Sequence, residues 1–319
     1  MAISIIVGSI SLATVFLFGC VGEIITEKSG HLNLGIPGIM CSGTAGGCFG
    51  VATYMNTYNA NPSWFVLVLF SVICSIVFAA IVGGIYAILT VSLRCNQNIT
   101  GLAITTFGTG FTQFFIDNYV DKNYFDKASR LISQGISVSK LGWFGEIFLS
   151  YGILVYFAIA LAVIVSIFLK KTRVGLHLRS IGENPATADA VGINVGLYKY
   201  VAILVGSGIA GLGGFFYIID YIGGSWENAS TIEALGWLSI ALVIFTLWKP
   251  DLAILGSIIF ACFYIIAFKI TGVSFTVMAE LKLLPYIVTI VVLILTSIFG
   301  GKSVQPPASL GLNYFREER

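Results

Sequence analysis

Apolar residues along this chain fall into nine segments, at residues 5–22, 34–55, 64–93, 99–118, 148–169, 197–219, 234–248, 252–270 and 284–300. A helix crosses a bilayer with about 20 apolar residues, so each segment is a candidate span. The pattern predicts an all-α polytopic transmembrane protein of about 8–10 spans, forming one domain over residues 1–319. The third segment is long for one straight crossing and is expected to tilt or bend, most simply at Gly83-Gly84. The seventh is short. It is expected to be re-entrant or to join the eighth through a kink at Pro250.

One polar island, Lys170–Asn194, separates two strongly apolar stretches. Four of the chain's 17 Lys and Arg lie in its first ten residues: Lys170, Lys171, Arg173 and Arg179. A short helix is then signalled. Asn184 can accept a free backbone N–H as N-cap, and Pro185 suits the first helical position because the N–H it lacks would go unpaired there. Ala186, Ala188 and Ala190 follow, and Gly192 is the stop. This basic, capped, small-faced helix is either a docking element or a solvated connector.

Composition agrees with the pattern. Mean hydropathy is +0.95 and 10% of residues are charged, against roughly 25% in soluble domains. The apolar runs far exceed the roughly 10-residue strands of a membrane barrel. A net charge of +2 gives no indication of a nucleic-acid partner. The six cysteines form no CxxC and read as small packing residues rather than disulfides or metal ligands. No Lys or Arg precedes Lys28, so residues 5–22 are expected to be a retained span rather than a signal peptide.

Lys and Arg also set an expected orientation. With the island inside, the inner connections hold Lys28, Arg94, Lys170, Lys171, Arg173, Arg179, Lys249, Lys302, Arg316 and Arg319. The outer ones hold Lys122, Lys127, Arg130 and Lys140, all in one long segment, plus Lys269 and Lys282. The N-terminus is then outside and the C-terminus inside. Residues 119–147 form an extracellular segment, 170–196 a cytoplasmic loop and 301–319 a cytoplasmic tail.

Two nucleotide-like patterns fail on context. GSGIAG at 206–211 matches GxGxxG, but it lies within an apolar span, where small residues four apart bring helices together. Gly206, Ala210 and Gly214 make one such face, and Ser207 and Gly211 another. GGKS at 300–303 has Thr296 where a P-loop needs Gly. His31 and His177 lack metal-ligand spacing, so no metal site is expected. No catalytic constellation stands out. Glu23, Asp117, Asp220 and Glu233 fall near estimated span ends and are expected to reach water at the interface. The fourth span, ITGLAITTFGTGFTQFF, carries Thr105, Thr109 and Thr112 in one stripe with Thr106 and Gln113 beside it. Such a stripe suits either a path for a neutral polar solute or helix–helix hydrogen bonding.

Three segments carry a family resemblance. EKSGHLNLGIPGIM, residues 27–40, resembles the E-[RK]-S-G-x-x-N-[IL]-G-x-x-G-x-M segment of permease subunits in the branched-chain amino acid, simple sugar and nucleoside group of ABC importers. Glu27, Lys28, Ser29, Gly30, Asn33, Gly35 and Gly38 occupy patterned positions, and Pro37 stands where that family often has Glu. GLHLRSIGENPATADAVGINV, residues 175–195, is similar to the family's cytoplasmic segment that meets the ATPase. PPASLGLNYFREE, residues 306–318, is similar to the tail of the nucleoside branch. The resemblance implies coupling to an ATPase through Gly182, Glu183, Asn184, Pro185, Ala186, Ala190 and Gly192. It also implies a second homologous permease subunit, a separate cytoplasmic ATPase that holds ATP and Mg, and an extracellular substrate-binding lipoprotein of the basic-membrane-protein type. It implies nucleosides as cargo and a bacterial cell membrane as the location. The cargo expectation suits the fourth span, where Thr105, Thr109 and Gln113 lie beside Phe107 and no charge precedes Asp117. The chain itself is expected to carry no cofactor and no catalysis. An ion-coupled secondary transporter, a sugar or amino acid permease, and a membrane-embedded enzyme are the competing readings.

Overall fold

A computed structural model describes residues 2–58, 60–134, 142–269, 275–281, 283–299 and 305–315. The GGKS pattern at 300–303, Lys140, Lys282, Lys302, Arg316 and Arg319 lie outside the described residues. The fold is all-α. Its helices are α1 (Ala2–Lys28), α2 (Ile36–Tyr58), α3 (Trp64–Ala87), α4 (Gln97–Tyr119), α5 (Phe125–Ile132), α6 (Gly142–Phe148), α7 (Ile153–Lys171), α8 (Arg173–Glu183), α9 (Pro185–Ala190), α10 (Val195–Phe216), α11 (Ala229–Phe245), α12 (Pro250–Lys269), α13 (Phe275–Leu281) and α14 (Leu284–Phe299). Each apolar segment of the sequence coincides with one long helix. The helices α1, α3, α4, α7 and α10 are long and apolar enough to cross a membrane, and α11, α12 and α14 are shorter apolar helices. Glycine-rich α2 completes the set.

The centre of the bundle is α1, α2 and α10, which carry much of the buried core. The two small faces of α10 let its neighbours approach closely. A Cβ on Gly206 would strike Thr26 and Gly22 of α1, and one on Gly211 would meet Ala79 of α3 and Gly43 of α2. Without water to drive apolar surfaces together, close backbone approach supplies the dispersion contact that holds such helices. The outer helices α3, α4, α7 and α14 keep large apolar residues exposed, such as Phe65, Ile81, Ile164 and Ile298. A lipid environment is the solvent that such a surface fits.

Two expectations are corrected, on the seventh segment and on Glu23. The third segment runs as one helix, α3, through Gly83-Gly84, where Gly83 is the seat for Ser207 of α10. The irregularity comes later, as a π-turn over Ile88–Ser92. The seventh and eighth segments are not fused. The helix α11 begins earlier than its apolar run, at Ala229, where the Asn228 side chain caps it, and a tight turn at 246–249 delivers Pro250 to the start of α12. Leu247 and Trp248 both take φ +55° in that turn, a left-handed conformation unusual for bulky residues. Glu23 does not reach water. It is wholly buried, and its Oε1 accepts the Asn33 N–H at 3.1 Å.

Candidate functional site

The Glu27–Met40 segment is the turn joining α1 to α2, and each patterned residue has a local job. The Ser29 hydroxyl donates to the Thr26 carbonyl at 2.6 Å, and the Gly30 N–H donates to the Glu27 carbonyl at 2.8 Å. Gly30 takes φ +79°, so it ends α1 as a left-handed cap at little steric cost. The Asn33 side chain accepts the Gly35 N–H at 2.9 Å and opens α2. Gly35 and Gly38 lie against Ile104 and Thr105 of α4, with no room for a Cβ. Pro37 packs on Gly236 of α11. The Glu27 carboxylate accepts the Trp248 indole N–H. The strained turn before α12 thus points its indole at α1.

The island folds as two helices. Thr172 caps α8, and the Asn184 side chain caps α9 by accepting the Thr187 N–H at 3.0 Å. Pro185 is the first residue of α9 and Gly192 ends the unit at φ +86°. Ala188 faces inward and is buried; Ala190 is exposed and Ala186 half-buried. Glu183 is exposed, while Gly182 is buried against Lys28 and Gly30. His177 contacts the Tyr198 hydroxyl through Nδ1 at 2.9 Å, which ties α8 to α10.

The C-terminal tail joins these parts. The Ser309 N–H and hydroxyl both donate to the Gly182 carbonyl, at 2.9 and 2.6 Å. The Gly311 N–H donates to the Gly30 carbonyl at 3.3 Å. The Asn313 side chain donates to the Arg94 carbonyl at 2.8 Å, and the Tyr314 hydroxyl donates to Asp189 at 2.8 Å. Gln97 bridges the turn and the tail: its Oε1 accepts the Leu32 N–H at 2.8 Å, and its Nε2 donates to Asn313 at 3.1 Å. Three segments far apart in sequence therefore form one platform at one end of the bundle. A cavity of about 410 Å³ opens between its parts, lined by His31, Lys199 and the turn into α10. His31 is buried with neither ring nitrogen hydrogen-bonded. Burial, and then the nearby Lys199 charge, push its pKa down to about 3.

The fourth-span residues split into two groups. The buried Thr105 hydroxyl donates to the Leu34 carbonyl at 2.9 Å, a helix–helix bond. Thr109 is half-buried and bonds back to Thr105 at 2.9 Å. Gln113 accepts the Ala229 N–H at 2.8 Å, where α11 begins, and donates to Asp117. Phe107 is exposed and stacks on Phe111, with ring centroids 5.9 Å apart. Asp117 is exposed and accepts the Trp226 indole N–H at 3.0 Å. This face lies along α2 and α11, and Phe107 points away from it.

Sequence reading missed Trp248, Ser309, Gln97 and Lys199. Each is ordinary in its own segment. Only Trp248 had a local cue, its place beside Lys249-Pro250.

Apolar spans packed on glycine faces, with a polar platform clamped across their ends, describe a polytopic membrane protein. Residues 5–297 match the family described as the branched-chain amino acid transport system permease component, and the chain belongs to that family. It is similar to the nucleoside ABC transporter permease protein NupC of Lactococcus lactis subsp. cremoris, with 30% identity over 98% of this chain and 97% of the relative. It is similar to the putative glucose ABC transporter permease protein TsgC13 of Haloferax volcanii, with 32% identity over 79% of this chain and 73% of that one. It is also similar to the guanosine ABC transporter permease protein NupQ of Bacillus subtilis, with 29% identity over 99% and 98% of the two chains.

Proposed function

We propose that this chain is the permease subunit of an ATP-driven nucleoside importer in a bacterial plasma membrane. The observation that carries the reading is the platform: the α1–α2 turn, α8–α9 and the tail are bonded together directly against the ends of the central spans. A partner that moved α9 would move span ends with it. In this reading the partner is a separate cytoplasmic ATPase that holds ATP and Mg. The docking unit is Gly182–Gly192, presented through Ala186 and Ala190. A second, homologous permease completes the membrane path, and an extracellular lipoprotein delivers the cargo. Residues 119–147 then face outside, while residues 170–196 and the tail 301–319 face the cytoplasm. Family membership supports a subunit of a multi-component system over an ion-coupled secondary transporter.

Nucleosides as cargo rest on relatives that cover nearly all of the chain. A nucleoside is neutral, with ribose hydroxyls and a flat base. Low-affinity hydrogen-bonding groups without fixed charge suffice for it; on α4 the half-buried Thr109 and Gln113 offer them, while Thr105 is bonded to Leu34 and Phe107 lies off that face. A zwitterionic amino acid would call for a charged or helix-terminus partner. The test is uptake of labelled uridine or adenosine, with glucose as comparison, in a strain deleted for this gene and for other nucleoside carriers. Uptake that depends on this gene and on ATP is expected. Normal nucleoside uptake in the deletion strain overturns the assignment.

A further inference from the structure

A second cavity at the platform is ringed by cations, three at helix ends or turns and one on α8. Lys28 closes α1, Lys170 lies in the last turn of α7, Arg179 lies on α8, and Lys249 immediately precedes α12. With Glu183 they line a space of about 500 Å³. Their charge is only partly matched among the described residues: Glu183 and Glu27 lie near Lys28. Lys170 pairs with Asp251 at 3.0 Å, but Lys28, Arg179 and Lys249 form no ion pair among the described residues. The Arg179 Nε is buried and has no hydrogen-bond partner. Three cations without an ion-pair partner around one cavity are costly to desolvate, and an anionic occupant offsets that cost.

The surroundings select among anions. Guanidinium and ammonium groups at fixed spacing match the several oxygens of a phosphate. Leu176 and Leu247 give the same cavity an apolar wall. Val174 and Leu176 of α8 are 50% and 55% exposed, beside the basic residues Lys171 and Arg173. Such a helix suits the membrane interface, its apolar side in the headgroup region. Three of the four cations stand at span ends, the level at which phospholipid headgroups lie. A soluble phosphate would use the cations but leave the apolar wall without a purpose.

We propose that this cavity binds the phosphate of an anionic phospholipid. The lipid sits under α8 and joins the platform to the ends of α1, α7 and α12. It is a site distinct from the solute path and independent of the cargo.

The test is native mass spectrometry of the full chain, purified from mixed micelles of phosphatidylglycerol and phosphatidylcholine. The wild type is expected to retain phosphatidylglycerol selectively. Arg179→Gln and Lys249→Gln should each lower that retention about fivefold, the usual worth of one basic residue near an anionic lipid surface. Lys122→Gln makes the same charge change at the opposite end of the bundle and should leave retention unchanged. Equal retention in Arg179→Gln and Lys249→Gln overturns the site, as does an equal loss in Lys122→Gln. A parallel arm titrates inorganic phosphate and uridine monophosphate into lipid-depleted protein, read by phosphorus NMR. Saturable binding there, with no retained phosphatidylglycerol, overturns the lipid as the source.

Discussion

Ser309 gives both its N–H and its hydroxyl to one acceptor, the carbonyl of Gly182, across 127 residues of chain. Gly182 in turn lies where a Cβ would strike the Lys28 carbonyl and come within 3.2 Å of the Gly30 nitrogen. The tail, the island and the α1–α2 turn thus share one contact, and it tolerates no added atom.

Gly182→Ala is therefore expected to lower stability by about 1–3 kcal/mol, because backbone must move to admit the methyl. Ser309→Ala should cost about 1 kcal/mol and loosen the tail, which its remaining bonds still hold. Thermal unfolding in detergent measures the first, and faster proteolysis of the tail the second. Wild-type proteolysis of Ser309→Ala would show that the tail is held elsewhere.

The α9 helix separates docking from folding. Ala190→Trp places a large side chain on an exposed surface and should leave the amount of membrane-inserted protein unchanged. It should abolish solute-stimulated ATP hydrolysis in the assembled complex. Ala186→Trp should act similarly with some loss of stability, since Ala186 is half-buried. Ala188→Trp enters a buried position and should reduce the amount of folded chain. Full stimulation in both the Ala186 and Ala190 variants would make α9 a connector.

The fourth span offers a similar separation. The Thr109 hydroxyl bonds mainly to its own helix, so Thr109→Leu should reduce uptake with normal protein levels. Gln113→Leu strands the Ala229 N–H at the start of α11 and should also destabilise the protein by about 1–3 kcal/mol. Normal uptake in both variants would remove α4 from the path while leaving the cargo assignment intact.

Orientation is testable with single cysteines in a cysteine-free background. Ser129 is buried and Ser180 is bonded to the His177 carbonyl, so neither is a good reporter. Asn123 and Val191 are exposed. An impermeant thiol reagent added to intact cells should label Asn123→Cys and spare Val191→Cys. The reverse pattern would invert the topology.

His31 supplies a pH dependence. Its pKa is about 3 in the folded chain against 6.5 ordinarily. As pH falls below 6.5, the unfolded chain takes up a proton that the folded chain refuses. Stability should then fall by about 1.4 kcal/mol per pH unit until the folded value is reached. Unfolding midpoints at pH 7.5 and 5.5 should differ more in the wild type than in His31→Gln. Equal differences would place a polar partner on His31.

The sequence by itself determined where the spans lie, because each long helix needs a run of apolar residues and no tertiary contact to declare itself. It also determined the α9 cap, since Asn184, Pro185 and Gly192 act on backbone only a few residues away. The two small faces of α10 were readable from spacing alone, though not which neighbours they would seat. Tertiary structure decided the rest. Glu23 looked like an interfacial carboxylate because its place near the span end suggested water, and only the fold shows it buried with the Asn33 N–H bonded to it. Thr105 and Thr109 share a stripe, yet one hydroxyl is spent on Leu34 and the other is not. Whether a polar side chain faces a path or a neighbour depends on groups brought in from far along the chain. The platform is the clearest case: its bonds join residues from 65 to more than 200 positions apart, so no local pattern could announce that its three parts would meet.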